Sequence, residues 1–112
     1  MKRIEAVIQP HTLDDVRKAL IAIGVEGMTV FEAKGFGRQH GHTEIYRGSE
    51  YDYHFVPKIY ILLMVKKSQV KQVVATIREA ANTKKIGAGK IFVSPLEDAI
   101  RIRTNEDGEG AL

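Results

Sequence analysis

The order of hydrophobic periods constrains this chain most: an alternating stretch, a helical stretch and a second alternating stretch, with the whole series then repeated. Lys2 to Gln9 alternates, with Ile4, Ala6 and Ile8 on one face, and Pro10 stops the run. Behind Thr12 as a cap, Leu13, Val16, Leu20 and Ile23 follow helical spacing, and Gly24 stands where a left-handed C-cap residue belongs. Met28 to Lys34 is rich in strand formers and makes a second strand. Lys58 to Lys66 makes the third, with Ile59, Ile61, Leu63 and Val65 on one face. Tyr60, Leu62 and Met64 occupy its other face, so cover is expected on both sides. Ser68 caps a second helix whose buried stripe is Val70, Val73, Val74, Ile77 and Ala81. Ile91 to Val93 forms a short fourth strand, ended by Ser94-Pro95, and Ile100 and Ile102 then alternate with Arg101 and Arg103.

A β-α-β-β-α-β order is the split βαβ arrangement of ferredoxin-like α+β folds. Both helices then lie on one face of an antiparallel sheet. The large side chains Tyr60, Leu62 and Met64 fall on the other face, which points to burial against further subunits.

At 112 residues the chain is long enough for one domain, spanning residues 1–112, with on the order of two-thirds of its surface buried. Hydrophobic residues make up 44% and charged residues 28%, which excludes a disordered or fibrous chain. The absence of cysteine excludes a disulfide scaffold and any thiolate metal site, and fits a reducing compartment. Ile59 to Val65 is far too short to span a bilayer, and Met1-Lys2-Arg3 is followed by no signal-type apolar run. A cytoplasmic protein is the expectation. Seventeen basic and 14 acidic residues give a net charge of +3, too weak to argue for nucleic acid.

One stretch breaks the pattern. More than twenty residues separate Lys34 from Lys58, where a hairpin needs about two to five. They include Gly35, Gly37, Gly41 and Gly48, three of the four histidines, and Tyr46, Tyr51, Tyr53 and Phe55. Loops of this length in a small domain are usually functional.

The other candidate for chemistry is Lys84-Lys85-Ile86-Gly87-Ala88-Gly89-Lys90, ahead of the last strand. Its glycines allow close backbone approach, so amides can face phosphate oxygens while a lysine supplies charge. It is not a P-loop, because Lys84 stands where a glycine is required and Ile91 where Ser or Thr is. Arg101 and Arg103, two apart on a strand, would point to one side and could share a polyphosphate. No cysteine nucleophile, serine elbow or carboxylate pair with a role is present. His40 and His42 with Glu44 have a chelating spacing, although a histidine-containing loop is commoner than a metal site.

These pieces together resemble the nitrogen-regulatory P-II signal-transduction family over essentially the whole chain. The matching runs are Gly27-Met28-Thr29-Val30, Lys34-Gly35-Phe36-Gly37-Arg38-Gln39 and Gly41-His42-Thr43-Glu44. They continue with Tyr46-Arg47-Gly48-Ser49-Glu50-Tyr51, Pro57-Lys58, Gly87 to Val93, and Ile100 to Thr104. The resemblance implies a homotrimer with ATP and ADP competing for clefts between subunits, and 2-oxoglutarate binding beside Mg-ATP. It implies that Gly87, Gly89 and Lys90 hold phosphates, that Arg101 and Arg103 close on them across the interface, and that Arg38 joins them. Thr29, Gly37 and Met64 would line the nucleotide, Gln39 would ligate Mg2+, and Lys58 would meet a 2-oxoglutarate carboxylate. The loop over residues 37–56 would dock onto nitrogen-metabolism enzymes, regulators or an ammonium transporter, so that any membrane contact comes through that partner.

Tyr51 matches the position that some members uridylylate or adenylylate, and Ser49 the one phosphorylated in others. A nucleotidyltransferase or a kinase is therefore the implied modifying partner. Departures from the family pattern are His40 for lysine, Asn82 for arginine, Lys84 for glycine and Ala88 for aspartate. Asp52-Tyr53-His54 replaces an apolar pair and an acid, and Tyr60 and Leu62 replace a lysine and a glutamate. The expectation is a regulatory ligand-binding protein rather than an enzyme, with weak ATP hydrolysis at most and no nucleic acid. The alternatives are a small phosphate-hydrolysing domain, or an RNA-binding domain, which would need aromatic residues on the sheet face.

Overall fold

A computed structural model describes residues 1–37 and 54–112. Four strands form, β1 (Lys2–Ile8), β2 (Thr29–Gly35), β3 (Val56–Val65) and β4 (Gly89–Pro95), with helices α1 (Leu13–Ala22) and α2 (Val70–Ala81) between them. All strand pairs are antiparallel and the sheet order is β2-β3-β1-β4. The chain has the ferredoxin-like α+β fold.

The core follows from strand alternation meeting two helical stripes. Ile4, Ala6 and Ile8 of β1 and Ile59, Ile61, Leu63 and Val65 of β3 pack with Val16 and Leu20 of α1 and Val73, Ile77 and Ala81 of α2. Each large aliphatic side chain buried this way contributes about 1.5–3 kcal/mol. Gly24 ends α1 as expected, with φ +93° and its N–H donating to the Ile21 carbonyl at 3.0 Å.

The helix starts differ from the sequence reading. Thr12 closes a 3-10 turn, Pro10–Thr12, and its hydroxyl donates to the Gln9 carbonyl at 2.8 Å instead of capping α1. Ser68 does not cap α2 either. It lies inside a second 3-10 turn, Lys67–Gln69, and the Lys66 N–H donates to Gln69 Oε1 at 3.0 Å. A glutamine three residues on reaches back to that amide, which a serine only two residues on does not.

Strand β4 is longer than Ile91 to Val93, because β1 offers it a partner at every position from Gly89 to Pro95. The strand expected through Arg101 and Arg103 is absent. Ile100 makes one bridge to Asp107, and the chain between them turns, with Arg101 N–H donating to the Glu106 carbonyl at 2.8 Å. Asn105 sits at φ +62°, a conformation asparagine tolerates, and this turn overrides the alternation of Ile100 and Ile102.

The sheet face away from the helices has a definite composition. Strand register aligns Thr29, Leu62, Glu5 and Phe92 across it, then Phe31, Tyr60, Val7 and Lys90. Phe31 and Tyr60 meet edge to face with ring centroids 5.8 Å apart, and Tyr60, Leu62 and Met64 are half-buried within one chain. Three aromatic rings, Phe31, Tyr60 and Phe92, therefore lie on this face of the sheet. Among the described residues no helix is long and apolar enough to cross a membrane.

Candidate functional site

The ends of β1, β2 and β3 meet the turn between α2 and β4 around a cavity of about 500 Å³. Its lining includes Gly35, Phe36 and Gly37 at the end of β2, Lys58 on β3, and Lys85 to Lys90 from the turn. Register explains two of the lysines: Lys58 is opposite Ala33 and Lys90 opposite Val7, so both side chains emerge on the open sheet face. Lys58, Lys85 and Lys90 line the cavity and no carboxylate does, among the described residues.

The turn is held by backbone geometry that side chains would oppose. Gly87 has φ +94° and Gly89 φ +126°, and a Cβ on Gly89 would collide with the Val7 carbonyl. Only glycine lets β4 begin so close to β1. The Gly87 carbonyl accepts a hydrogen bond from Gln9 Nε2 at 2.6 Å and one from Lys58 Nζ at 3.4 Å. Burial pushes the Lys58 ammonium below its ordinary pKa. A partly desolvated cation beside exposed glycine backbone is a place where an anion recovers lost solvation.

A family model described as Nitrogen regulatory protein P-II matches residues 1–106. Along all 112 residues of both chains, this sequence is 53% identical to the Nitrogen regulatory protein P-II of Azospirillum brasilense. The corresponding value for Rhodospirillum rubrum is 54%, again over the full length of both. This chain belongs to the P-II family. The crystal structure of Arabidopsis thaliana PII bound to citrate matches it with a TM-score of 0.83 and 40% identity, covering 99% of this chain and 91% of that one.

Of the residues picked out on the P-II pattern, Gly37, Lys58, Gly87, Gly89 and Lys90 gather at the cavity. Thr29 and Met64 do not. They sit toward the other end of the sheet, and the six residues along β3 from Lys58 to Met64 span about 20 Å. No residue of the segment 96–112 lines the cavity either. Arg103 stands exposed in the turn after Ile100, while the Arg101 guanidinium is bound to Glu106. Arg38, Gln39, Ser49 and Tyr51 lie outside the described residues, as do His40, His42 and Glu44. Among the described residues there is no cluster of histidine and acidic side chains able to hold a metal.

Sequence reasoning did not place Gln9, Phe36 or Phe92 in this region. Lys85 carried a visible signal, as a member of the lysine- and glycine-rich turn singled out above. Gln9 had none, because its contact with Gly87 joins residues 78 apart in the chain.

Proposed function

We propose that this P-II chain is a homotrimeric sensor of ATP and ADP that binds 2-oxoglutarate beside Mg-ATP and signals through residues 37–56. The observation that carries the reading is the cavity with three lysines, a glycine turn and no lining carboxylate among the described residues. Phosphates would sit on the backbone of Gly87 and Gly89 with Lys90 as counter-charge. Lys58 would take the distal carboxylate of 2-oxoglutarate. The citrate named in the Arabidopsis structure is a small polycarboxylate, which agrees with an anion site of this kind.

The described lining offers magnesium no side-chain oxygen, since its charged groups are lysines. Mg2+ prefers oxygen ligands and is commonly held through substrate phosphates. The cavity offers cations and backbone, so the ion would rest on nucleotide oxygens and on Gln39, as the family resemblance implies.

Thr29, Met64, Arg101 and Arg103 belong to a second half-site. In a trimer, these groups from one subunit complete the phosphate cavity of its neighbour, with Arg38 also drawn in by the resemblance. The open sheet face with Tyr60, Leu62 and Met64 supplies the apolar contact for that assembly. Light scattering should therefore give about three chain masses at micromolar concentration, and a single chain mass would overturn the assembly. Phe31, Tyr60 and Phe92 form part of the same surface, and a net charge of only +3 favours subunit contact there over RNA stacking.

Calorimetric titration with ATP and ADP tests the nucleotide reading. Lys90→Ala or Arg103→Ala should weaken both by about 1.5–3 kcal/mol, the range for charge-assisted hydrogen bonds. Unchanged affinity in both variants would remove the phosphate assignment. The cavity serves binding, with weak ATP hydrolysis at most, and the signal passes to nitrogen- and carbon-metabolism targets, including enzymes, regulators or an ammonium transporter. Tyr51 as a nucleotidylation site and Ser49 as a phosphorylation site complete the proposal, which places the protein in the cytoplasm.

A further inference from the structure

The Arg101 side chain is already engaged. Its Nη1 donates to Glu106 Oε1 at 2.8 Å, and its Nη2 donates to the carbonyls of Gly110 at 3.2 Å and Leu112 at 3.5 Å. Glu106 is itself held, since the Thr104 hydroxyl donates to the same Oε1 at 2.8 Å. Backbone bonds fix the base of this arrangement: Asn105 N–H to the Arg101 carbonyl at 2.7 Å and Gly108 N–H to the Ala99 carbonyl at 3.0 Å. The segment from Glu106 to Leu112 thus folds back onto one guanidinium.

A guanidinium grips an oxyanion in parallel along one of two edges, Nε with Nη2 or Nη1 with Nη2. Both edges need Nη2, and Nη2 already faces two carbonyls. The second edge also needs Nη1, which faces a carboxylate. A phosphate cannot take Arg101 in a forked grip while the segment stays docked, and the Glu106 charge would repel it.

We propose that the segment from Glu106 to Leu112 is a latch on Arg101 that nucleotide phosphate must displace, so nucleotide binding releases it. The inference rests on the nucleotide reading above and adds a regulatory contact to it. Arg101 to Glu106 is an exposed pair, with side chains 41% and 50% accessible, so the latch is weak enough for a polyphosphate to open. Coupling is reciprocal: whatever the latch takes from nucleotide affinity, bound nucleotide takes from latch closure by the same factor.

Two measurements on the full-length chain test it, with ADP as the probe. In Glu106→Gln the charge is lost and the shape kept, and ADP should bind about fivefold tighter, near the upper limit for an exposed ion pair. In the unmodified protein, saturating ADP should speed amide exchange at Gly108 and Leu112, whose N–H groups are hydrogen-bonded in the docked segment. Equal or weaker ADP binding by Glu106→Gln, or unchanged exchange at both amides, overturns the latch while leaving the nucleotide site intact. Failure of the unmodified protein to bind ADP at all overturns both.

Discussion

Replacing Gly89 by alanine should cost this protein about 2–6 kcal/mol of stability, more than a typical surface change by several-fold. Two terms add. The backbone at φ +126° is one that residues with a Cβ rarely adopt, worth on the order of 1–3 kcal/mol. The new Cβ would also collide with the Val7 carbonyl, and backbone cannot swing aside as a side-chain end can. Relieving that overlap means shifting β4 from β1, with an overpacking cost of about 1–3 kcal/mol. Thermal unfolding followed by circular dichroism should show a drop of more than about 10 °C. Gly27→Ala is the control, because a Cβ there meets nothing within 4 Å and its backbone is not at positive φ. If the two variants melt alike, close approach of the turn to β1 is not what Gly89 is for.

Strands β1 and β3 explain what was legible in advance. Alternation in β1 and β3 is readable because one face is fully buried, so a slip by one residue would expose Ile4, Ile61 and Leu63 together. Lys58 then falls on the opposite face by parity alone, and Lys90 joins it because β4 extends back to Gly89 in register with β1. Parity does not say how near they come, since that depends on β1 lying between β3 and β4. Arg101 and Arg103 show the opposite failure. Their two-residue spacing is the same signal that works in β1, but no neighbouring strand binds that stretch, and a local turn at Asn105 decides its course. Ser68 fails for a similar reason: serine is the commoner cap, yet Gln69 has the reach to close the turn on Lys66. Periodicity is informative where burial enforces it and unreliable where local hydrogen bonds compete.

The second large effect expected is that 2-oxoglutarate binds about 100-fold more tightly in the presence of Mg-ATP than of ADP, toward the upper end of coupling between sites. Two adjacent oxygens of an α-keto acid can chelate magnesium, and the ion is delivered by nucleotide phosphates that ADP supplies less completely. By linkage, 2-oxoglutarate must tighten ATP binding by the same factor, so titration in either order gives one number. Lys58 adds a pH signature. Burial lowers its pKa from 10.5, so the free folded protein releases this proton before the unfolded chain does. Stability of the free protein therefore rises with pH across the interval from the lowered value to 10.5, as the cost of a buried cation disappears. Ligand affinity runs the other way. A carboxylate needs the protonated amine, so 2-oxoglutarate should be lost as pH rises through the lowered Lys58 value, earlier than for an exposed lysine. In Lys58→Met, both pH trends should vanish together with most of the affinity. Equal 2-oxoglutarate binding with ATP and ADP would break the magnesium bridge. A pH-independent affinity that Lys58→Met leaves intact would instead move the carboxylate to Lys85 or Lys90, the other two cations of the same cavity.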